Sequence, residues 1–216
     1  MTTRDRLLTE GMRLFGEQGY TATSVAQIEA AAGLSPGSGS LYKHVRSKEA
    51  LLTEGLEQLL SDGRGLEERL APQASQGVAE QLSAAATAGL RRLDEERDLT
   101  RLLFRGLDAF PELLQRFGDG EINRFHRAST DLLAGLAGDS DGVVDWAAIA
   151  VVLQGATAHF WLLCDLFGQH PTDVDEDRFV AAVAALTTAM IAAPPTARTR
   201  SAAAPRSPDS QVEETR

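Results

Sequence analysis

Two stretches of this chain carry no charged side chain, Trp146 to Cys164 and Phe179 to Thr196. Nothing else in the sequence narrows its fold so strongly. Each approaches the length a bilayer span requires. A helix that is apolar nearly all round must be buried somewhere. A membrane hairpin is one solution. Against it, the first stretch holds Gln154, Thr157 and His159, and the second is mostly Ala with Thr187 and Thr188. The link between them is acidic, with Arg178 as its one basic residue, so no positive flank orients a hairpin. The sequence therefore points to burial in a helical core and against a second copy of the chain. That makes a homodimer through the helices near 145–167 and 175–192.

The remaining sequence reads as all-α. Ala, Leu, Glu and Arg are abundant, β-branched clusters are few, and no clean period-two alternation runs through it. With 43% hydrophobic and 24% charged residues, a packed core is within reach. Leu8, Met12 and Phe15 fall at i, i+4 and i+7, which predicts a helix from about Thr3 to Gln18, closed by Gly19. Ser24 stands three residues before Gln27, a capping-box spacing that opens a short second helix ending at Gly33. Ser47 is a good N-cap for a helix carrying Leu51, Leu52, Leu56, Leu59 and Leu60. Further helices are expected near Val78–Leu93, Leu99–Ala109, Pro111–Phe117, Glu121–Ala137, Asp145–Phe167 and Asp175–Ala192. Gly118-Asp119-Gly120 and the Gly- and Asp-rich run at 138–142 read as breaks. The tail from Ala193 lacks an apolar period and reads as disordered.

Charge localises any contact with a polyanion. The net charge is −10, yet residues 1–60 are nearly balanced, and both lysines, Lys43 and Lys48, fall there. Within that part, Ser35-Pro36-Gly37-Ser38-Gly39 is a turn, and Ser40-Leu41-Tyr42-Lys43-His44 has room for one or two helical turns. A capped helix, a Gly-containing turn and a short second helix make a helix-turn-helix. A recognition helix enters the major groove by its N-terminal end, where small residues allow close approach. Ser38, Gly39 and Ser40 are small, and their amides and hydroxyls can donate to phosphate or base edges. Ser24 can also donate to phosphate. Tyr42, Lys43 and His44 follow within reach of the sugar-phosphate backbone. Lys48 lies in the first turn of the next helix, where a cation opposes the helix dipole, a cost that a bound phosphate would offset.

These residues carry a resemblance. The first fifty or so residues resemble the TetR family of transcriptional regulators, through Leu14-Phe15, Gly19-Tyr20, Thr23-Ser24-Val25, Ile28, Ala31-Ala32-Gly33-Leu34-Ser35, Leu41-Tyr42 and Ser47-Lys48-Glu49-Ala50-Leu51. The resemblance covers about a quarter of the chain. It implies an all-α homodimer with an N-terminal three-helix DNA-binding domain and a helical domain that binds a small molecule and dimerises through its last two long helices. It implies phosphate contacts for Tyr42, His44 and Lys48, and positions facing DNA for Ser38, Ser40 and Lys43. The chain departs from the family in three places. The turn 35–40 is about two residues longer than the commonest form. Val45 stands where Phe is usual, and Glu29 where a small residue is usual.

The expected organisation is a DNA-binding domain over 1–46, an effector-binding and dimerisation domain over 47–192, and a tail over 193–216. In the second domain, Gln154, Thr157 and Trp161 lie at i, i+3 and i+7 and share one face, with His159 pointing away. Any of these polar groups either bonds within the bundle or lines an effector pocket, and Asn123, His126 and Arg127 are similar candidates. Cys164, the one cysteine, reads as a small buried residue. Enzyme motifs are missing: there is no H-E-x-x-H, C-x-x-C or G-x-S-x-G. No metal or cofactor is expected. The charged N-terminus is unlike a secretion signal, so the chain is expected in the cytoplasm. The reading is a repressor that binds a palindromic operator and is released by a small, hydrophobic effector. The alternative is a helical ligand-binding or scaffold protein whose helix-turn-helix has lost DNA binding.

Overall fold

The computed structural model describes residues 1–62, 77–104, 110–139 and 144–192 and is helical throughout them. The elements are α1 (Thr3–Gln18), α2 (Val25–Ala31), a 3-10 turn (Ser40–Lys43), α3 (Lys48–Asp62), α4 (Val78–Glu95), α5 (Arg97–Phe104), α6 (Pro111–Phe117), a π-helical turn (Gly118–Ile122), α7 (Asn123–Ala137), α8 (Trp146–Phe167) and α9 (Glu176–Ala192). Most boundaries lie within two residues of those expected. The expected disorder from Ala193, the end of the Leu99–Ala109 helix and most of the 138–142 break lie outside the described residues.

The caps work as the sequence foretells. Ser24 Oγ accepts from the Gln27 amide at 3.2 Å while Gln27 Oε1 accepts from the Ser24 amide at 2.7 Å. Gly33, at φ +75°, ends α2, with the Leu34 amide donating back to the Glu29 carbonyl at 2.8 Å. Ser47 Oγ accepts from the Ala50 amide at 3.0 Å and opens α3.

One expectation fails. Gly118-Asp119-Gly120 is not a break: the chain passes through it as a π-helical turn that joins α6 to α7 without leaving helical φ/ψ at Gly118. Two glycines remove side-chain crowding but do not force an exit, and a wide turn keeps the backbone hydrogen-bonded.

Two sets of buried residues organise the packing. The first gathers Leu7, Met12 and Phe15 from α1, Ile28 from α2, Leu41 and Val45 around the 3-10 turn, and Leu51, Leu52 and Leu56 from α3. It also takes Leu99 and Leu102 from α5 and Phe117 from α6. Packing therefore does not stop at residue 46, because α3 and α5 are part of the N-terminal core. α1 and α5 meet at Gly16, where a Cβ would lie 2.6 Å from the Asp98 carbonyl oxygen. Glycine at that position lets two backbones touch. The second set lies in a bundle of α4, α7, α8 and α9.

Arg101 forks onto Asp165 at 2.7 and 2.9 Å and so ties α5 to the end of α8. The Asp165 side chain is 4% exposed and that of Arg101 28%, so the pair is only partly screened by solvent and salt.

Candidate nucleic-acid interface and effector cavity

The turn before the 3-10 segment is built from residues suited to it. Pro36 and Gly37 occupy its two central positions, Gly37 has φ +72°, and the Ser38 amide closes it on the Ser35 carbonyl at 3.2 Å. Gly39 is left-handed at φ 70°, ψ 14° and serves as N-cap of the 3-10 turn. Leu41 and Val45 point inward and are buried. Their burial turns the residues between them outward: Tyr42 is 57% exposed, and Lys43 and His44 are exposed. Ser38 and Ser40 lie at the leading end, their hydroxyls 2.7 Å apart. The structure thus keeps Ser38, Gly39, Ser40, Tyr42, Lys43 and His44 at the surface in and just before the 3-10 turn. Ser24 is exposed, with its side chain engaged by Gln27.

Two expectations about donors change. The Ser38 and Ser40 amides are not free for phosphate, since one donates to Ser35 and the other to Ser38 Oγ at 3.3 Å. Nor is Lys48 a bare cation at a helix start. Its ammonium donates to the Tyr20 carbonyl at 2.6 Å and the Thr23 carbonyl at 2.7 Å, and lies 4.0 Å over the Tyr20 ring. The side chain folds back onto the α1–α2 loop, where the Thr23 carbonyl takes one N–H and the Tyr20 carbonyl, which also accepts the Thr23 amide at 3.3 Å, takes another. Burial pushes its pKa down from the ordinary lysine value. Lys48 therefore cross-links α3 to the loop that starts α2, and phosphate can claim only its third N–H.

Thr23 is buried, its hydroxyl donating to the Gly19 carbonyl at 2.8 Å. Its hydroxyl is engaged within the fold, also accepting from Gln18 Nε2 at 3.2 Å.

A partly open cavity of about 420 Å³ lies between the helical bundle and α5 and α6. Its wall is mostly apolar, from Leu82, Leu93, Leu103, Phe125, Leu132 and Leu153 among others. Of the candidates read from sequence, Gln154 and Thr157 line it. Gln154 Nε2 donates to Ser129 Oγ at 3.1 Å, and Thr157 Oγ1 donates to the Leu153 carbonyl at 2.9 Å. The others do not line it. Trp161 is buried one turn beyond, packed with Phe160, Leu90 and Val180. His159, Asn123 and Arg127 are exposed. His126 is partly buried, outside the wall. A shared helix face was the right signal for Gln154 and Thr157, but the cavity ends before Trp161 is reached.

Sequence reasoning missed Arg92, Glu96 and Ser129 in the same wall. Arg92 Nε donates to both Glu96 oxygens at 3.2 Å, and its guanidinium lies 5.3 Å from the Phe125 ring centre. Desolvation pushes the Glu96 carboxyl above its ordinary value, and Arg92 offsets part of that rise. The available signal was an i, i+4 charge pair set among Leu90, Leu93 and Leu99, where an exposed helix face would be polar on all sides.

Cavity and N-terminal core share a wall. Leu99, Leu103 and Phe117 line the cavity and also pack in or against the core that holds the 3-10 turn.

Comparison with known proteins agrees with this geometry. Residues 7–54 match the description of bacterial regulatory proteins of the tetR family. The chain is 46% identical over 59 residues to the HTH-type transcriptional repressor KstR2 of Rhodococcus jostii strain RHA1, covering 27% of this chain and 28% of that protein. It is 37% identical over 54 residues to the uncharacterized HTH-type transcriptional regulator YerO of Bacillus subtilis strain 168, covering 25% of this chain and 18% of that protein. The similarity thus spans less than a third of either relative's length. The fold matches over nearly the whole chain. The fatty acid degradation regulator FadR of Bacillus halodurans superposes with a TM-score of 0.64 at 16% identity, over 87% of this chain and 95% of that one. A TetR-like transcriptional regulator from Rhodococcus sp. RHA1 superposes with a TM-score of 0.64 at 21% identity, over 89% and 97%. Residues 7–54 thus carry the helix-turn-helix of the tetR family of bacterial regulatory proteins, on an all-helical body whose fold is that of TetR-like regulators.

Proposed function

We propose that this protein is a homodimeric repressor that binds a palindromic operator through two helix-turn-helix units and releases it when a small molecule fills the cavity. One observation carries the reading: α5 is a wall of the cavity on one side and part of the core under the 3-10 turn on the other. A molecule that fits the cavity only when α5 is displaced binds better to the form whose two reading edges are wrongly spaced. Differential affinity of that kind is what release requires. The matching half-sites lie about one DNA turn apart.

Ser38, Gly39, Ser40 and Lys43 face the groove in this reading, and Tyr42, His44 and the third Lys48 donor hold phosphate. Ser24 supplies a further hydroxyl. The DNA-binding unit ends within α3 instead of at residue 46, since Leu51, Leu52 and Leu56 complete its core. The name of the Rhodococcus relative supports repression over activation. A cytoplasmic place follows from the work of binding DNA.

The effector is largely apolar and carries at least one polar group. Cavity walls of this size and character select for shape and hydrophobicity, with a few polar groups fixing orientation. Gln154 with Ser129 offers one such point and the Arg92–Glu96 pair another.

The test is fluorescence anisotropy with duplexes selected by the protein from a random pool, across a salt series. Selective binding whose affinity falls steeply with salt is the expected result. Failure to select any duplex would overturn the reading and leave a helical binding module, which the balanced charge of residues 1–60 would suit.

A further inference from the structure

Glu29 is the least expected residue in the DNA-binding unit. It sits in α2, is 0% exposed, and occupies a position where the TetR family, by resemblance, usually has a small residue. A buried carboxylate is costly unless it is hydrogen-bonded. Here one oxygen, Oε1, accepts from the Leu41 backbone amide at 2.9 Å, and Oε2 has no partner. The fold accepts a half-satisfied buried acid for the sake of one hydrogen bond, so what that bond does decides what Glu29 is for.

It caps the 3-10 turn from outside. A short helical turn leaves its first amides without internal acceptors, and the N-cap side chain ordinarily supplies them. The N-cap here is Gly39, which has no side chain and no capping bond. The first two amides are met in other ways. The Ser40 amide donates to Ser38 Oγ, and the Leu41 amide donates across twelve residues to Glu29. The Tyr42 amide then makes the first internal bond, to the Gly39 carbonyl at 3.1 Å.

The longer turn and the buried acid fit each other. Extending the turn 35–40 puts left-handed glycines at 37 and 39 and removes the local cap. A side chain reaching up from α2 restores it. We infer that Glu29 is a positioning residue for DNA recognition: through the Leu41 amide it fixes the height and angle of the edge formed by Ser38, Ser40 and Tyr42.

This rests on the DNA-binding reading above, and two readouts keep the two apart. Glu29→Ala removes the acceptor. Glu29→Gln keeps an oxygen that can take the Leu41 amide and adds a donor where Oε2 stands. The duplex that the wild type selects from a random pool is titrated with all three proteins by anisotropy, with thermal melting as the control for folding. Hydrogen exchange at the Leu41 amide is followed by NMR. Glu29→Ala should bind the selected duplex about tenfold more weakly, the loss of an ordinary cap. Its melting temperature should hold, because the same substitution removes a desolvated carboxyl. The Leu41 amide should lose protection in Glu29→Ala and keep it in Glu29→Gln, which should bind like wild type. Wild-type affinity for a folded Glu29→Ala protein, or Glu29→Gln as weak as Glu29→Ala with Leu41 still protected, overturns the inference. If the wild type selects no duplex, the DNA reading falls, and Leu41 protection alone decides whether Glu29 holds the turn.

Discussion

Lys43 and Lys48 are five residues apart in one DNA-binding unit, and the structure gives them different work. Lys48 satisfies two backbone carbonyls and covers the Tyr20 ring, while Lys43 stands in solvent. Replacing Lys48 with Met should cost about 1–3 kcal/mol of folding stability, through the loss of two part-buried, charge-assisted hydrogen bonds. Replacing Lys43 with Ala should change stability by less than about 0.5 kcal/mol. DNA affinity should respond to both: each variant removes one cation from the DNA-facing surface, so each should lower the slope of log affinity against log salt by about one. Urea denaturation and a salt titration on both variants check this. Equal stability for the two would show that the Lys48 bonds carry no weight in solution. The contrast was not legible in the sequence. Spacing placed both cations near a groove, but whether a lysine is free depends on carbonyls contributed from elsewhere in the chain. Leu41 and Val45 were easier, because an apolar residue beside a turn has few places to go other than inward.

α5 is the element on which the two halves meet. Its first turn is crowded: Asp98 lies where α1 touches it at Gly16, and Glu96 stands between α4 and α5 at the cavity wall. Burial raises both carboxyls above their ordinary values, with Arg101 offsetting part of the rise for Asp98 and Arg92 for Glu96. The sign follows from proton counts. An acid with a raised folded-state pKa binds more protons folded than unfolded, so stability falls as pH climbs through that window. Below the unfolded-state value of 3.8 for Asp98 the effect vanishes, and above the folded-state value the full cost applies. Asp98→Asn should therefore melt higher than wild type near neutral pH, with the difference closing as pH falls to about 4. Thermal melts from about pH 4 to about pH 8 read this directly. A gap that widens on acidification would mean that Arg101 and the helix dipole outweigh burial. Helix limits such as Pro111 to Phe117 were legible because proline and a local apolar period mark them. The cavity was legible only in part, through Gln154 and Thr157. A cavity is a property of how several helices pack, and the leucines around the Arg92–Glu96 pair hint at a dry face without saying which helices close over it.

At the scale of the whole molecule, the two uncharged stretches return as α8 and α9. The sequence demanded that they be buried, yet within one chain much of their surface is not. Val152 on α8 is 68% exposed, and Leu186 on α9 is 67% exposed. Val151, Leu166, Phe167 and Met190 are also exposed. α8 is long and apolar enough to cross a membrane by length and composition, with a mean hydropathy of 1.7 over an 18-residue window. Its inner face, however, already packs in the bundle through Trp146, Ala150, Phe160 and Trp161. What remains outside is a set of exposed apolar side chains on α8 and α9, which a second copy related by a two-fold axis can cover. An exposed apolar patch of this extent marks an interaction surface. On the proposed homodimer and its palindromic operator, Leu186→Arg puts a charge on this exposed apolar surface and should give a monomer in sedimentation velocity, with α-helical content retained. Operator affinity should then collapse for the full palindrome while a single half-site is bound as before. The second reading edge no longer benefits from the effective concentration that dimerisation provides. A Leu186→Arg protein that still sediments as a dimer would place the interface elsewhere. A wild type that sediments as a monomer and floats with lipid vesicles would return the argument to the membrane.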